Sequence, residues 1–519
     1  MRIRLLGTLL VMTAALGFGQ TGASHCADML KFQAPGLKLA ITKAEAMPAS
    51  APGTLRISPN FPGTVGVAIP AFCHVQGVMD QRTGVDGKPY GIGFALALPD
   101  QWNGRFLFQG GGGLNGNVAL PLGSQAAGDR PALARGFAVV TTDSGHQGAV
   151  FDGSFFRDQQ ATLDFYYVAI GRVAQLAKRM IASYYGRAAE HSYFDGCSTG
   201  GREAMIMSQR YPEYFDGIIS GDPAIRTGHS NLALGFMTAV FDQAAPKDDS
   251  GKPDPRKTFS PTDRKLIVNS LLQVCDAKDG LKDGMIFDQR GCNFDPAMLE
   301  CSAQKNDTCL SKAQVDALKT AFAGPKWSYG DAIYPGVPFD AGIDDKGGIP
   351  GLLNGPVIPV ATGADFLHFN VDREAARVEA DKTAQLGDST WTNLSSFSGH
   401  GGKLLFYHGL SDPWFSPLDT LGYYEKMSKD TSNGEAESWS RIYFVPGMGH
   451  CQGGSATLDQ FDMLSAVVDW VEKGVAPERV VATGRAFPGR SRPLCAYPKY
   501  AEYSGHGDTN DASSFVCRQ

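Results

Sequence analysis

Gly196-Cys197-Ser198-Thr199-Gly200 has the spacing Gly-x-Ser-x-Gly. A serine so placed, between a strand-like and a helix-like segment, reads as a nucleophile elbow. Flanking glycines let the backbone fold tightly around it. His191–Asp195 suits a short buried strand, and Arg202–Arg210 suits a helix. A serine there presents its hydroxyl to a cleft, beside helix-start amides that can receive negative charge. The plainer alternative is a glycine-rich turn whose serine caps a helix. A nucleophilic serine needs a base, and the base needs an orienting carboxylate. Lys403–His408 reads as a buried strand that ends in the turn Gly409-Leu-Ser-Asp412-Pro413, and Arg441–Val445 as a second strand followed by Pro446-Gly-Met-Gly-His450-Cys451. Asp412 and His450 therefore each follow a strand end, in the order Ser, Asp, His expected of a strand–turn–helix hydrolase scaffold. The expected roles are attack by Ser198, proton transfer by His450 and orientation of the imidazole by Asp412.

Other residues compete for these roles. His408 lies near Asp412 but at the strand end, where a local hydrogen bond is its simpler use. Thr141-Thr-Asp143-Ser-Gly-His146 offers another Asp and His after the strand Phe137–Val140, but it precedes the serine, and a structural or cleft-lining role suits it better. A developing oxyanion needs two donors: the N–H of Thr199, and one from a loop after an earlier strand. Arg105–Gln109 is such a strand, and Gly110-Gly-Gly-Gly113-Leu-Asn-Gly116 follows it. Gly112 or Gly113 is the expected donor, and the residues do not choose between them. The loop lacks the Gly-Lys-Ser/Thr ending and following helix of a phosphate-binding loop.

Ten cysteines occur in a chain that starts like an exported protein: Met1-Arg-Ile-Arg, an apolar stretch from Leu5 to Phe18 and small residues at Thr21-Gly-Ala23. The leader is expected over 1–23. Its apolar run is short and glycine-broken for a membrane span. Export to the periplasm or beyond implies an oxidising compartment and paired cysteines. Cys197 precedes Ser198 and Cys451 follows His450, so a Ser–His pairing brings these cysteines together; a bond between them would hold nucleophile and base loops in register.

The chain's 519 residues are 43% hydrophobic, enough for a sizeable core and more than one ordinary domain. A net charge of −6 gives no basic footprint for nucleic acid and no polybasic patch for a membrane. Strand and helix signals alternate from Phe137 to Ala224, the pattern of a parallel sheet. Gln159–Tyr185 reads as one helix and Leu458–Val471 as the last. From about Arg226 to Ser398 the pattern gives way to Asp/Lys/Pro-rich stretches, four cysteines between 275 and 309, and Gly/Pro loops, as in an inserted lid. Expected bounds are a core of 24–225 and 399–519 and a lid of 226–398. Trp327, Tyr334, Phe366, Trp391 and Phe397 lie in or near that insertion, mostly as lid core, with one or two available to stack on an aromatic acyl group.

The motifs Trp102-Asn-Gly-Arg, Thr141-Thr-Asp-Ser-Gly-His, Gly196-Cys-Ser-Thr-Gly-Gly-Arg, Tyr407-His-Gly-Leu-Ser-Asp and Pro446-Gly-Met-Gly-His-Cys together resemble the tannase/feruloyl esterase family over nearly the whole mature chain. The resemblance implies an α/β-hydrolase core with a large inserted lid, the Ser198/Asp412/His450 triad and a Cys197–Cys451 bond. It further implies the pairs Cys26–Cys73, Cys275–Cys292, Cys301–Cys309 and Cys495–Cys517.

Cys275-Asp276-Ala-Lys-Asp279-Gly280-Leu281-Lys-Asp283-Gly284-Met285 places three carboxylates close together. Read alone, this is a solvated acidic turn or a site for a hard cation; Lys278 and the lack of a closing glutamate rule out an EF-hand. Similarity to the family implies a structural Ca²⁺ held in the lid by Asp276, Asp279 and Asp283 and the carbonyls of Leu281 and Met285. The expected activity is an exported serine carboxylesterase on feruloyl or galloyl esters. Hydrolysis of mono(2-hydroxyethyl) terephthalate is the alternative, and a peptidase, a deacetylase or a non-catalytic binding protein on the same scaffold is less favoured. An acyl hydroxyl needs a buried hydrogen-bond partner and an acyl carboxylate an arginine; Arg226, Arg290, Arg373 and Arg377 are the lid's candidates.

Overall fold

The computed structural model describes residues 23–56, 64–247, 249–251, 253–254, 257–344, 368–431 and 436–519. Apart from Ala23, the expected leader lies outside them, as does Phe366.

Nine strands build the main sheet: β1 (Leu39–Met47), β2 (Phe72–Thr83), β3 (Pro89–Pro99), β4 (Arg105–Gln109), β5 (Ala138–Thr142), β6 (His191–Cys197), β7 (Gly217–Gly221), β8 (Lys403–Gly409) and β9 (Ser440–Val445). Their spatial order is β1-β2-β3-β5-β4-β6-β7-β8-β9. The first four in that order pair antiparallel, and β5 through β9 run parallel. This is an α/β-hydrolase sheet. Almost every residue of strands β5, β6, β7 and β8 is buried, as expected where helices cover both faces.

The register decides where chemistry can occur. Cys197 pairs with Gly221, and Gly221 with Tyr407. The carboxyl ends of β6, β7 and β8 thus lie side by side, and ligands of open α/β sheets bind beyond such ends. Ser198 follows β6, Asp412 follows β8, and His450 follows β9.

The helix after the elbow starts at Thr199, immediately after the serine, and runs to Arg210 with its first ten residues buried. Gln159–Tyr185 is helical throughout, with a π-helical turn at Asp164–Val168, and stops at Gly186 in the left-handed region.

Between β7 and β8 the chain inserts the helices Thr227–Gln243, Pro261–Cys275, Lys312–Ala323 and Val371–Ala380. Capping boxes start two of them, Ser260 with Asp263 and Ser311 with Gln314. The insertion buries its own core around Phe241, Phe259, Leu271, Ile286 and Leu318. The expected helix at Leu458 begins only at Met463, because Gln460–Phe461 pairs as a strand with Ala482–Thr483 and Asp462 caps the helix. The carboxyl-terminal region also forms a three-stranded sheet and a hairpin, Tyr500–Tyr503 with Phe515–Arg518.

Five disulfides form: Cys26–Cys73, Cys197–Cys451, Cys275–Cys292, Cys301–Cys309 and Cys495–Cys517. No cysteine is free. These are the pairs that the resemblance implies.

Candidate active site

Ser198 sits at φ 65°, ψ −121°, a conformation that an L-residue adopts only when its surroundings impose it. Its neighbours explain how. A Cβ on Gly196 would lie 2.5 Å from the carbonyl oxygen of Gly200, and one on Gly200 would lie 2.7 Å from that of Gly111. The glycines before and after the serine are therefore needed for the close approach of the elbow and the Gly110–Gly113 loop.

A cavity of about 520 Å³ lies over this turn, and both Ser198 and His450 line it. His450 Nδ1 is 2.8 Å from Asp412 Oδ2. Asp412 is fully buried, whereas 13% of the His450 side chain stays exposed. His450 Nε2 has no hydrogen-bond partner among the described residues; the serine–histidine bond of such sites often closes only when substrate arrives. The Cys197–Cys451 bond, with Cα atoms 5.9 Å apart across 254 residues of sequence, fastens the elbow to the histidine loop.

Asp412 serves two imidazoles. His408 Nε2 lies 3.3 Å from Asp412 Oδ2 and 3.5 Å from Asp222 Oδ1. His408 also makes the local bonds expected of it, to Thr420 Oγ1 and the carbonyl of Phe415. Asp412 Oδ1 accepts from the N–H groups of Trp414 and Phe415. Burial opposes ionisation of Asp412, but His450 and His408 outweigh it and hold the carboxyl well below its usual range. Burial likewise disfavours the His450 cation, yet the charge and hydrogen bond of Asp412, with the charge of Asp222, keep its pKa above the ordinary value. Asp222, at the end of β7, was not anticipated: it is one residue past a strand end, with no motif around it. Burial, with Asp412 nearby, pushes its carboxyl up to about 7 against the pull of His408.

The glycine loop is held from below. Gly110 N–H donates to the Asp195 carbonyl at 2.8 Å and Gly111 N–H to Glu203 Oε2 at 2.8 Å. Leu114 and Asn115 donate to Val150 and Gly112 carbonyls. Gly112 and Gly113 keep N–H groups without such a partner among the described residues, and both line the cavity with Ser198. A Cβ on Gly112 would meet nothing within 4 Å, whereas one on Gly113 would strike Val150, so Gly112 is the more open of the two.

Asp143 and His146 do not form a pair. Asp143 Oδ1 accepts from Gly93 and Gly145 N–H groups, and His146 stacks on Phe155 with ring centroids 3.7 Å apart. Only Thr141 and Thr142 of that motif line the cavity.

Residues 73–356 and 357–518 match the family described as tannase and feruloyl esterase. The chain belongs to that family. It is a carboxylic ester hydrolase. The esterase is 37% identical to the mono(2-hydroxyethyl) terephthalate hydrolase of Piscinibacter sakaiensis, with 87% of this chain and 85% of that one covered. It is 32% identical to the probable feruloyl esterase B-1 of Aspergillus oryzae, covering 81% and 80%. Its fold superposes on the crystal structure of feruloyl esterase B from Aspergillus oryzae with a TM-score of 0.79, at 26% identity, over 96% of this chain and 100% of that one.

Most of the insertion aromatics are core, as expected, and none of the described ones lines the cavity. The esterase lines its cavity with Val150, Phe151 and Trp414, none of them among the insertion aromatics. Phe397 is fully buried, Tyr334 is buried against Ser416, and Trp327 stacks on Tyr329. Trp391 is exposed. The named arginines are engaged elsewhere: Arg226 with Asp419, Arg290 with the Pro498 carbonyl, and Arg373 and Arg377 with Glu374. Among the described residues no arginine lines the Ser198 cavity.

The acidic loop lies between the insertion and the carboxyl-terminal strands. Asp283 pairs with Arg492, Arg490 donates to the Asp283 carbonyl, and Met285 packs with core residues such as Val445 and Met448. Asp276 accepts from Asp283 and Gly284 N–H groups, and Asp279 from those of Leu281 and Phe287. Burial, with the charges of Asp283 and Asp276, pushes Asp279 up to about 7. Carboxylates and carbonyl oxygens are the donor type a hard cation takes, but in this structure Asp283 faces Arg492 and Arg490, and Asp276 and Asp279 accept from backbone N–H groups instead of converging with Asp283 on one point. Among the described residues, no helix is long and apolar enough to cross a membrane.

Proposed function

We propose that this esterase is an exported hydrolase of aromatic, phenolic esters of the feruloyl or galloyl type, acting through Ser198, His450 and Asp412. Ser198 Oγ attacks the ester carbonyl carbon while His450 Nε2 accepts its proton. The oxyanion is received by the N–H of Thr199 and that of Gly112 or Gly113. On collapse the alcohol leaves with the proton returned from His450, and an acyl-enzyme remains on Ser198. Water, deprotonated by His450, then attacks the acyl carbon, and Ser198 recovers its hydrogen as the acid departs. Asp412 holds the imidazole with its Nδ1 proton inward and stabilises the cation that forms.

The observation that carries this reading is the convergence on one cavity of a serine at positive φ, a histidine bonded to a buried aspartate, and a glycine loop with open amides. Phe151 and Trp414 supply aromatic walls for the acyl ring. The 37% identical relative favours a second reading, hydrolysis of mono(2-hydroxyethyl) terephthalate, but a terephthalate carboxylate calls for a cation and the cavity offers no arginine among the described residues. Kinetics on methyl ferulate, methyl gallate and mono(2-hydroxyethyl) terephthalate test this: the phenolic esters are cleaved with the higher kcat/KM, and a preference for the terephthalate monoester contradicts it.

A structural Ca²⁺ on Asp276, Asp279 and Asp283 with the carbonyls of Leu281 and Met285 belongs to the same proposal. It would neutralise the carboxylates and fix the loop where insertion and core meet, far from any role in ester chemistry. Five disulfides and the apolar start of the chain support export.

A further inference from the structure

One carboxylate of the insertion reaches both loops that carry the histidine and the aspartate of the triad. Asp340 is completely buried. Its Oδ2 accepts from Ser411 Oγ at 2.5 Å and from the Gly447 N–H at 2.7 Å. Ser411 immediately precedes Asp412, and Gly447 lies just before His450. The other oxygen, Oδ1, accepts from Gln289 Nε2 at 3.0 Å. Burial disfavours the charge on Asp340 and raises its pKa, against the pull of Ser411 and of the Gly447, Ala341 and Gly342 N–H groups. The rest of this segment closes on the same loops. The Tyr334 hydroxyl accepts the Ser416 N–H at 3.2 Å, and Ser416 Oγ donates to the Gly336 carbonyl. A Cβ on Gly342 would lie 2.5 Å from the Gly447 carbonyl oxygen and 2.7 Å from Ser411 Oγ.

The main sheet fixes where β8 and β9 end, but Asp412 and His450 stand in the loops beyond those ends. Their contact, 2.8 Å from His450 Nδ1 to Asp412 Oδ2, depends on how two loops from different strands sit against each other. An oxygen that takes one donor from each loop sets that spacing. The insertion also holds the Asp412 loop at its far end, through Ser416. Resting on the triad reading above, we infer that Asp340 is a positioning residue for catalysis: it yokes the Asp412 loop to the His450 loop, so that the insertion completes the triad instead of merely covering it. Asp340 does not line the Ser198 cavity. It acts through the Asp412–His450 contact, and small displacements of such a contact are costly because the imidazole must meet the serine in one orientation.

The test compares the whole enzyme with Asp340→Ala, Asp340→Asn and Ser411→Ala, each assayed well below its melting temperature. Asp340→Ala is expected to lower kcat about 10²-fold, the cost of a ~1 Å misplacement in a catalytic site, with KM little changed. Asparagine keeps an oxygen for Ser411 and Gly447, and Gln289 can turn its amide to accept from the new NH₂ group. Asp340→Asn is therefore expected to recover most of the rate. Ser411→Ala removes one of the two yoked donors and falls between. The acidic limb of kcat/KM supplies a readout that a loss of stability alone leaves in place. His450 is faced by Asp412, Asp222 and His408. A looser Asp412 contact weakens what raises the His450 pKa, so the limb moves to lower pH in Asp340→Ala and stays in place in Asp340→Asn. A lower melting temperature with unchanged kcat and an unmoved limb overturns the inference, and so does an Asp340→Asn enzyme as slow as Asp340→Ala. If Asp340→Ala does not fold, Ser411→Ala decides: it loses rate and shifts its limb, or the inference fails. Wild-type enzyme that takes no fluorophosphonate on Ser198 would sink the triad reading and this inference with it. Labelled wild type with a kcat indifferent to all three changes defeats this inference alone.

Discussion

Glu203, completely buried in the elbow helix, accepts the N–H of Gly111 at 2.8 Å. Asn115 and Ser144 donate to its other oxygen. One carboxylate thus ties the helix that follows the nucleophile to the loop that supplies the second oxyanion donor. Removing it lets that loop drift. Glu203→Ala is expected to lower kcat by about 10²–10³, the cost of losing one oxyanion donor, and Glu203→Gln, which keeps an acceptor, by much less. Steady-state kinetics of both variants check this; equal losses in the two would place the effect in the buried charge instead of the loop.

Asp412, with a smaller contribution from Asp222, sets the acid side of the pH profile. His450 must be neutral to accept the serine proton, and Asp412 and Asp222 both raise its pKa. Activity therefore climbs as pH rises through a value above the ordinary histidine value of about 6.5. Asp222→Asn removes one of the two raising charges, so the acidic limb of kcat/KM shifts to lower pH. A limb that stays in place shows that Asp222 does not act on His450.

The Cys197–Cys451 bond closes a very long loop, 254 residues. Cys197→Ala/Cys451→Ala is expected to lower unfolding stability by about 2–5 kcal/mol, and to lower turnover as well, because the same bond holds elbow and histidine loop together. Denaturant unfolding and kinetics measure both. Unchanged turnover at full folding would mean that the register of Ser198 and His450 is kept by the sheet alone.

Chelation tests the acidic loop. With EDTA the melting temperature is expected to fall and to recover with added Ca²⁺, and Asp279→Asn is expected to abolish that response while activity at low temperature persists. A melting curve indifferent to chelator contradicts a bound cation.

Much of the site could be read directly in the chain, because its geometry is local. A positive-φ serine needs glycines around it, and strand-end loops carry Asp412 and His450 within a few residues of recognisable apolar runs. What escaped reading is what depends on distant packing. Asp222 and Glu203 stand in no motif; they matter because β7 lies beside β8 and because the elbow helix passes under the glycine loop. Aromatic residues are plentiful in the insertion, yet the aromatic walls, Phe151 and Trp414, come from loops of the core. The expected helix starts too early because Leu458 and Phe461 have the i, i+3 spacing of an apolar helix face, whereas Gln460–Phe461 is drawn into a small sheet by Ala482 and Thr483. Even the acidic loop, read as part of a lid, packs Met285 into the core.

The central claim is that the hydroxyl at 198 is the nucleophile that His450 activates. The direct measurement is intact-mass and peptide mapping after treatment with a fluorophosphonate. One equivalent of label on Ser198 is predicted for the folded, oxidised enzyme, with none on Ser198→Ala and strongly slowed labelling of His450→Ala. Label on another residue, or hydrolytic activity retained by Ser198→Ala, would contradict the account.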